Sequence, residues 1–256
     1  MIHQLPFGIP WMTGSRRLYT LYGNEVSVMI NSLKFSSGYP TRLKGIKRRT
    51  ITFGPRINVL NGPNGSGKTT ILKTLAVLSG CGEGGWSEGN EPGELPYQAV
   101  MERDGQPVFY QDCYKDSETS FIGDGYLETH DFLRSSGEKR VGLINELVRH
   151  IEDRFLTYKL PREVRPTLLL DEVDNHVGFA GQSLLWGGLF AKLSKKYQLI
   201  LSTHSIFPIL LRRENLLGPD NIIDLADNYA EICVAELGRA IGFFNQENAD
   251  SGADLR

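Results

Sequence analysis

The sequence predicts an α/β fold in which a mainly parallel central sheet follows an antiparallel β region. Three observations carry that prediction. Short apolar segments at 57–60, 167–170 and 198–201 have the near-continuous hydrophobicity of strands buried on both faces. Segments of helical period lie between them, the clearest at 141–156, where Ile144, Leu147, Val148, Ile151 and Phe155 recur on one face. A glycine-rich loop joins the first apolar segment to the helical segment after it, the strand, loop, helix order of parallel α/β units.

Taken in order, a strand is expected at about 26–35 and a second near 50–53, ahead of the buried strand 57–60. The helix 69–78 follows the glycine loop. The run 80–93, GCGEGGWSEGNEPG, breaks regular structure and reads as an exposed loop or lobe boundary. Asp104-Gly105, set between Ala99-Val100-Met101 and Val108-Phe109-Tyr110, predicts a hairpin turn. The helix 141–156 and the strands 167–170 and 198–201 come next, and the polar stretch 245–256 is expected to fray. No segment repeats at a fixed period and no heptad run is present, which excludes a long coiled-coil arm. The expected division is a single domain over 1–256. Its parts are a β region with the glycine loop (26–80), an acidic inserted lobe (81–165), two apolar strands (166–211) and a C-terminal extension (212–256).

A chain of 256 residues with 40% hydrophobic and 23% charged content suits a packed core of that size and excludes intrinsic disorder as the main state. No apolar run approaches the roughly 20 residues needed to cross a bilayer. The first residues lack the basic start and apolar core of a signal peptide, so a cytoplasmic protein without membrane insertion is expected. Cys81, Cys113 and Cys233 are odd in number and share no CxxC spacing, which points to reduced thiols rather than a disulfide framework or zinc site. The net charge of −2 conceals an asymmetry. Residues 26–82 hold nine basic side chains and no acid, whereas 83–131 hold twelve acids against Arg103 and Lys115. The first segment suits phosphates; the second is unsuited to nucleic acid.

Gly62-Pro63-Asn64-Gly65-Ser66-Gly67-Lys68-Thr69 fits GxxxxGK[ST] at every fixed position, with an apolar strand before it and a helix after it. Glycines let backbone N–H groups face phosphates, Lys68 reaches the β and γ phosphates, and the Thr69 hydroxyl is suited to Mg²⁺. Asn61 and Thr70 flank the motif and complete the expected nucleotide-binding set. ATP and Mg²⁺ are the implied cofactors, and a P-loop NTPase is the implied fold. Thr167-Leu168-Leu169-Leu170-Asp171-Glu172 supplies a buried strand ending in two carboxylates. Asp171 is expected at Mg²⁺ and Glu172 at the attacking water, with Asp174 and His204 the alternatives for the base. Leu199-Ile200-Leu201-Ser202-Thr203-His204-Ser205 ends another apolar strand in a histidine. At a sheet's carboxyl edge, where ligands of open α/β folds bind, His204 is placed to contact a γ phosphate or the water.

Arg134-Ser135-Ser136-Gly137-Glu138 opens the helix 141–156, and Ser135 with Glu138 forms an S-x-x-E capping box. Such a helix start exposes N–H groups and a positive dipole end to an anion. Phosphate loop, SSGE, LLLDE and STHS in this order resemble an ABC-type ATPase head, whose helical lobe carries the signature. The resemblance implies that Ser135, Ser136, Gly137 and Glu138 act in trans, capping a nucleotide held by the phosphate loop of a second copy in an ATP-bridged homodimer. It also implies a glutamine after a strand between phosphate loop and signature, which Gln111 fits, as a sensor of the metal or its water beside Thr69 and Asp171.

The resemblance covers most of 26–211. Transporter ATPases typically read LSGGQ and follow the glutamate with proline, whereas here Ser136 replaces the first signature glycine, Arg134 replaces leucine and Val173 follows Glu172. SSGE, DEVDNH and LSTHS are more similar to the SMC, RecF and OLD-like branch, closest to OLD-like ATPases of bacterial anti-phage and toxin systems. In that comparison Asn175-His176 starts the loop that crosses the dimer interface, and Gly178 stands where many relatives have aspartate. Only 66 residues (69–134) separate Lys68 from Ser135, too few for a coiled-coil arm, and 52 residues (205–256) follow His204, too few for an appended nuclease. The expectation is an ATP-binding and ATP-hydrolysing switch that controls a separately encoded effector, a nuclease being one candidate, with DNA as a further partner. The alternatives are the ATPase subunit of a membrane transporter and a RecF-like DNA-repair ATPase.

Overall fold

The computed structural model describes residues 30–47, 49–81, 85, 87, 91–104, 107–112, 148–149, 151–153, 165–175, 177–212 and 222–253. A three-stranded antiparallel sheet has the order β2 (Thr50–Thr52), β1 (Ile30–Ser37), β4 (Gln98–Arg103). A five-stranded parallel sheet has the order β5 (Val108–Asp112), β6 (Thr167–Asp171), β7 (Gln198–Ser202), β3 (Ile57–Asn61), β8 (Ile222–Asp224). The expected α/β architecture is therefore present, a parallel central sheet with an antiparallel region, although that region takes β4 from after β3 as well as β1 and β2 from before it.

Every residue of β3, β6 and β7 is buried, as parallel strands covered on both faces must be. Alternate side chains serve two cores. Leu169 and Ile200 join Ile71, Leu72 and Leu75 of helix α1 (Lys68–Leu78), along with Leu33 and Ile51 of the antiparallel sheet. Leu168, Leu170, Leu199 and Leu201 face the opposite core, with Ile151, Trp186 and Phe190. That second cover is a continuous helix made of α2 (Phe179–Leu184), a π-helical turn (Leu185–Leu189) and α3 (Phe190–Leu193). Helices α4 (Phe207–Leu211) and α5 (Tyr229–Ala253) follow. No described helix is long and apolar enough to cross a membrane.

Helix α1 ends where the sequence supplies a glycine. Gly80 has φ +76, and the N–H groups of Cys81 and Gly80 donate to Ala76 and Val77 at 2.9 and 3.0 Å. This pair of reversed bonds satisfies carbonyls the helix leaves open at its end.

Two sequence expectations are corrected. The hairpin at Asp104-Gly105 does not form: β4 pairs antiparallel with β1, and β5 pairs parallel with β6. The flanking strands differ in kind, β4 alternating between exposed and half-buried residues while Val108 and Phe109 are both buried, so they suit different sheets. The run 80–93 is not wholly an exposed loop. Gly85 is buried, its carbonyl accepts from Tyr110 N at 2.7 Å, and Ser87 N donates to Val108 O at 3.0 Å, which covers the outer edge of β5. The first strand begins its described part at Ile30, and 26–29 lie outside the described residues. Of the apolar face predicted for 141–156, Val148 and Ile151 are described and meet the core; the rest lies outside the described residues.

A buried amide joins the two sheets. The fully buried Gln198 accepts from Ile30 N (3.0 Å) and Thr167 Oγ1 (2.7 Å) and donates to the carbonyls of Ile30 (3.0 Å) and Gly54 (2.9 Å). Asn58 holds Gly54 from the other side, accepting from its N–H at 2.6 Å and donating to its carbonyl at 2.9 Å. Gln198→Leu keeps the volume but strands these partners without water, so it is expected to cost about 3–5 kcal/mol. The shift of a urea denaturation curve measures it, and a loss below about 1 kcal/mol contradicts the clamp.

Candidate nucleotide site

The carboxyl ends of β3, β7 and β6 lie side by side, because Leu60 is in register with Ser202 and Ser202 with Asp171. The chain therefore delivers the phosphate loop, His204 and the two carboxylates to one edge. At that edge Asn61 donates through Nδ2 to Asp224 Oδ1 at 2.6 Å, tying the end of β3 to β8.

The loop is shaped by its glycines. Gly67 sits at φ +103 as the N-terminal cap of α1, and a Cβ there would lie 2.6 Å from Ile46 Cδ1 and 2.9 Å from Leu43 Cδ1. Conformation and packing both demand glycine. No side chain caps α1, so its first N–H groups face outward from the helix start. Lys68 is only 5% exposed, and its Nζ donates to Gly62 O at 2.8 Å and Pro63 O at 3.4 Å. Burial lowers the Lys68 pKa, and the carboxylates of Glu172 and Asp171 oppose that shift. A desolvated ammonium of this kind is poised for strong attraction to an anion. The buried Ser66 Oγ has no hydrogen-bond partner among the described residues.

A cavity of about 300 Å³ opens over this loop, bordered by Tyr39, Leu43, Asn64, Ser66, Thr70 and Glu172. The residues present fit a nucleoside triphosphate: an ammonium, uncapped helix N–H groups and an orphan hydroxyl for phosphate, and an aromatic ring at the rim. Thr69 Oγ1 donates to Asp171 Oδ1 at 3.3 Å, and the Ser202 hydroxyl donates to the same oxygen. A hydroxyl and a carboxylate beside a phosphate site form the sparse, hard donor set that Mg²⁺ accepts while keeping waters.

Glu172 follows Asp171 with φ +50, in the left-handed region. Its N–H donates to Ser202 Oγ at 3.0 Å and Ser202 O at 3.2 Å. Its Oε1 lies 3.0 Å from His204 Nε2, the glutamate side chain 12% and the histidine 43% exposed. The structure thus brings together the phosphate loop, Asp171, Glu172 and His204. Gln111 lies on β5 opposite Leu170, one residue before the Asp112–Asp171 pair and at the same sheet edge. Ser135, Ser136, Gly137, Glu138 and His176 lie outside the described residues. Asp174 is 3% exposed and its Oδ2 is engaged by Thr203 and Trp186, a setting unsuited to a base in the cavity.

Sequence reasoning passed over Tyr39 and Ser202. Tyr39 belongs to the 3₁₀ turn Tyr39–Arg42, and its hydroxyl lies 3.0 Å from Thr70 Oγ1. Its ring packs edge-on against Tyr97, centroids 5.4 Å apart. Nothing local in the sequence marks it, because the contact joins the antiparallel region to the phosphate loop across the fold.

A family model described as an AAA domain matches residues 42–84, which span β2, β3, the phosphate loop and α1. The match supports nucleotide binding of the P-loop ATPase kind at this loop. Fourteen chains of known structure match. One is described as a cobalt transport ATP-binding protein, with 19% identity over 76% of this chain and 77% of that chain and a TM-score of 0.31. No curated protein matches.

Tyr39→Ala is expected to weaken ATP affinity about tenfold, within the ~1–3 kcal/mol that stacking a base on an aromatic ring contributes. Tyr39→Phe keeps the ring and most of the affinity. Titration with a fluorescent ATP analogue checks this, and equal affinity in all three proteins removes Tyr39 from the site.

Proposed function

We propose that this chain is an ATP-binding and ATP-hydrolysing switch that dimerises around ATP and controls a separately encoded effector. The observation that carries the hydrolytic part is the Glu172–His204 pair, 3.0 Å apart, beside the cavity that also holds Lys68 and Thr69. A carboxylate at such a place accepts a proton from water, and an adjacent imidazole fixes its direction and donates toward a developing negative charge.

The roles follow from position. Lys68 and the N–H groups at the start of α1 bind and orient the phosphates. Thr69 and Asp171 would hold Mg²⁺, which when bound neutralises phosphate charge. Ser202 fixes Asp171 through its hydroxyl and Glu172 through its backbone, so the metal ligand and the base keep a constant spacing. Glu172 orients the attacking water and takes its proton, and His204 steadies Glu172 from the solvent side. Tyr39 supports the nucleobase at the rim. The resemblance of SSGE and DEVDNH to the OLD-like branch supports action in trans by Ser135, Ser136, Gly137 and Glu138, and with it a dimer whose formation reports bound ATP. The same resemblance supports a place in bacterial anti-phage defence or a toxin system, with the effector on another chain.

Two variants test the reading. Lys68→Ala is expected to lose ATP binding while keeping the far-UV circular dichroism of the parent, since the ammonium is the main side-chain charge on the phosphates. Parent-level hydrolysis by the folded variant would overturn the site. Glu172→Gln is expected to bind ATP yet hydrolyse it at least about 100-fold more slowly. Light scattering should then show a dimer in the presence of ATP and Mg²⁺. A monomer under those conditions contradicts the switch, and an unchanged rate moves the base elsewhere.

A further inference from the structure

We propose that Asp174 is the positioning residue of the hydrolytic pair: its buried carboxylate ties the loop carrying Glu172 to the loop carrying His204 and so sets how those side chains meet. This deepens the reading above and rests on Glu172 as the base.

Two loops leave the sheet here, one after β6 and one after β7. Glu172, Asp174 and Asn175 lie on the first, Thr203, His204 and Ser205 on the second. Asp174 Oδ2 accepts from Thr203 Oγ1 at 2.6 Å, a direct bond between the loops. Thr203 Oγ1 in turn accepts from Ser205 N at 2.8 Å, and Ser205 Oγ accepts from Phe207 N at 3.2 Å. Both neighbours of His204 are therefore held, and the histidine projects from a fixed stretch of backbone. On the other loop, Asn175 N donates to Glu172 O at 2.9 Å and Val177 N to Asp174 O at 3.2 Å, a tight turn that starts with Glu172 in the left-handed region. A residue with a Cβ holds that conformation only when its surroundings fix it. The anchor two residues later is Asp174.

The same oxygen accepts from Trp186 Nε1 at 3.0 Å. Trp186 stands in the π-helical turn Leu185–Leu189, where the cover helix departs from α spacing, and its ring meets Phe190 edge-on at 4.8 Å. Such turns are found often at functional sites. Burial pushes the Asp174 carboxyl up, and the Thr203 and Trp186 hydrogen bonds pull it down. The group is thus enclosed by donors and does not open on the cavity. Its influence on chemistry passes through Glu172 and His204.

Hydrolysis of ATP with Mg²⁺ and affinity for a non-hydrolysable ATP analogue are to be measured on Asp174→Ala, Asp174→Asn and Thr203→Val. Misplacing a reacting pair by about 1 Å costs up to about 100-fold, so kcat is expected to fall about 10- to 100-fold in Asp174→Ala and Thr203→Val, with analogue affinity unchanged. Asp174→Asn supplies an amide oxygen for both donors and is expected to restore most of the rate. Adding Asp174→Ala to Glu172→Gln should cause no further loss, because the two residues act through one step. A folded Asp174→Ala at the parent rate overturns the proposal, as do equal losses of rate and affinity or losses that add to those of Glu172→Gln. If Asp174→Ala does not fold, Thr203→Val decides: its parent-level kcat would assign Asp174 to stability alone. Glu172→Gln run alongside separates the two ideas, since its full activity removes the base itself, whereas a slow Glu172→Gln with a fast Asp174→Ala removes only the positioning role.

Discussion

The register of three parallel strands governs this molecule. Hydrogen bonding sets Leu60 beside Ser202 and Ser202 beside Asp171, so β3, β7 and β6 end level and their outgoing loops must share one edge. A slip of one residue in any of them would turn the apolar set of that strand to the wrong core. It would also carry a phosphate loop, a carboxylate or a histidine out of reach of the others. The amino ends of the same strands are fixed by side chains: Gln198 reaches Thr167 on β6 and Ile30 on β1, and Asn58 on β3 reaches the carbonyl of Leu199 at 3.1 Å. Polar residues inside strands that are otherwise apolar thus settle which strand lies beside which, and at what height.

Buried polar groups recur at both ends of the sheet with different consequences. Gln198 has its two acceptor and two donor contacts filled by backbone and side-chain groups of the two sheets and the segment between them, so its contribution is to the fold. Lys68 at the other end spends its donors on loop carbonyls at 2.8 and 3.4 Å, contacts that compete poorly with a phosphate. Ser66 Oγ has no partner among the described residues. The satisfied network and the unsatisfied one mark the structural and the ligand-facing halves of one sheet.

How much was legible follows from the range of the interactions. The phosphate loop, Asp171, Glu172 and His204 could be read because each follows directly from an apolar strand, and a strand end at the carboxyl edge of a parallel sheet has one destination. The helix stop at Gly80 was also local. The supposed hairpin at Asp104-Gly105 failed because turn residues report a change of chain direction, whereas pairing depends on which faces the flanking strands bury. Gly85 was read as part of an exposed loop because its burial comes from the edge of β5, a partner more than twenty residues away. Tyr39 carried no motif; its place at the cavity depends on the antiparallel sheet and α1 sharing one core, to which Leu33, Ile51, Leu72 and Leu75 all belong.

Strain and support are placed close together at the carboxyl edge of the parallel sheet. Glu172 is one of two non-glycine residues with positive φ among the described residues, and the peptide on its amino side is bonded to Ser202 through both backbone and hydroxyl. On its carboxyl side the turn is closed by Asn175 and anchored by Asp174. An extended glutamate here would continue β6 and point its carboxylate along the sheet edge; the left-handed turn instead swings it beside His204, over the loop that carries Lys68. The backbone cost of that turn is met by neighbours that make no contact with the cavity. Thr203 and Trp186, remote from the phosphate loop, therefore bear on where the Glu172 carboxylate lies, through Asp174.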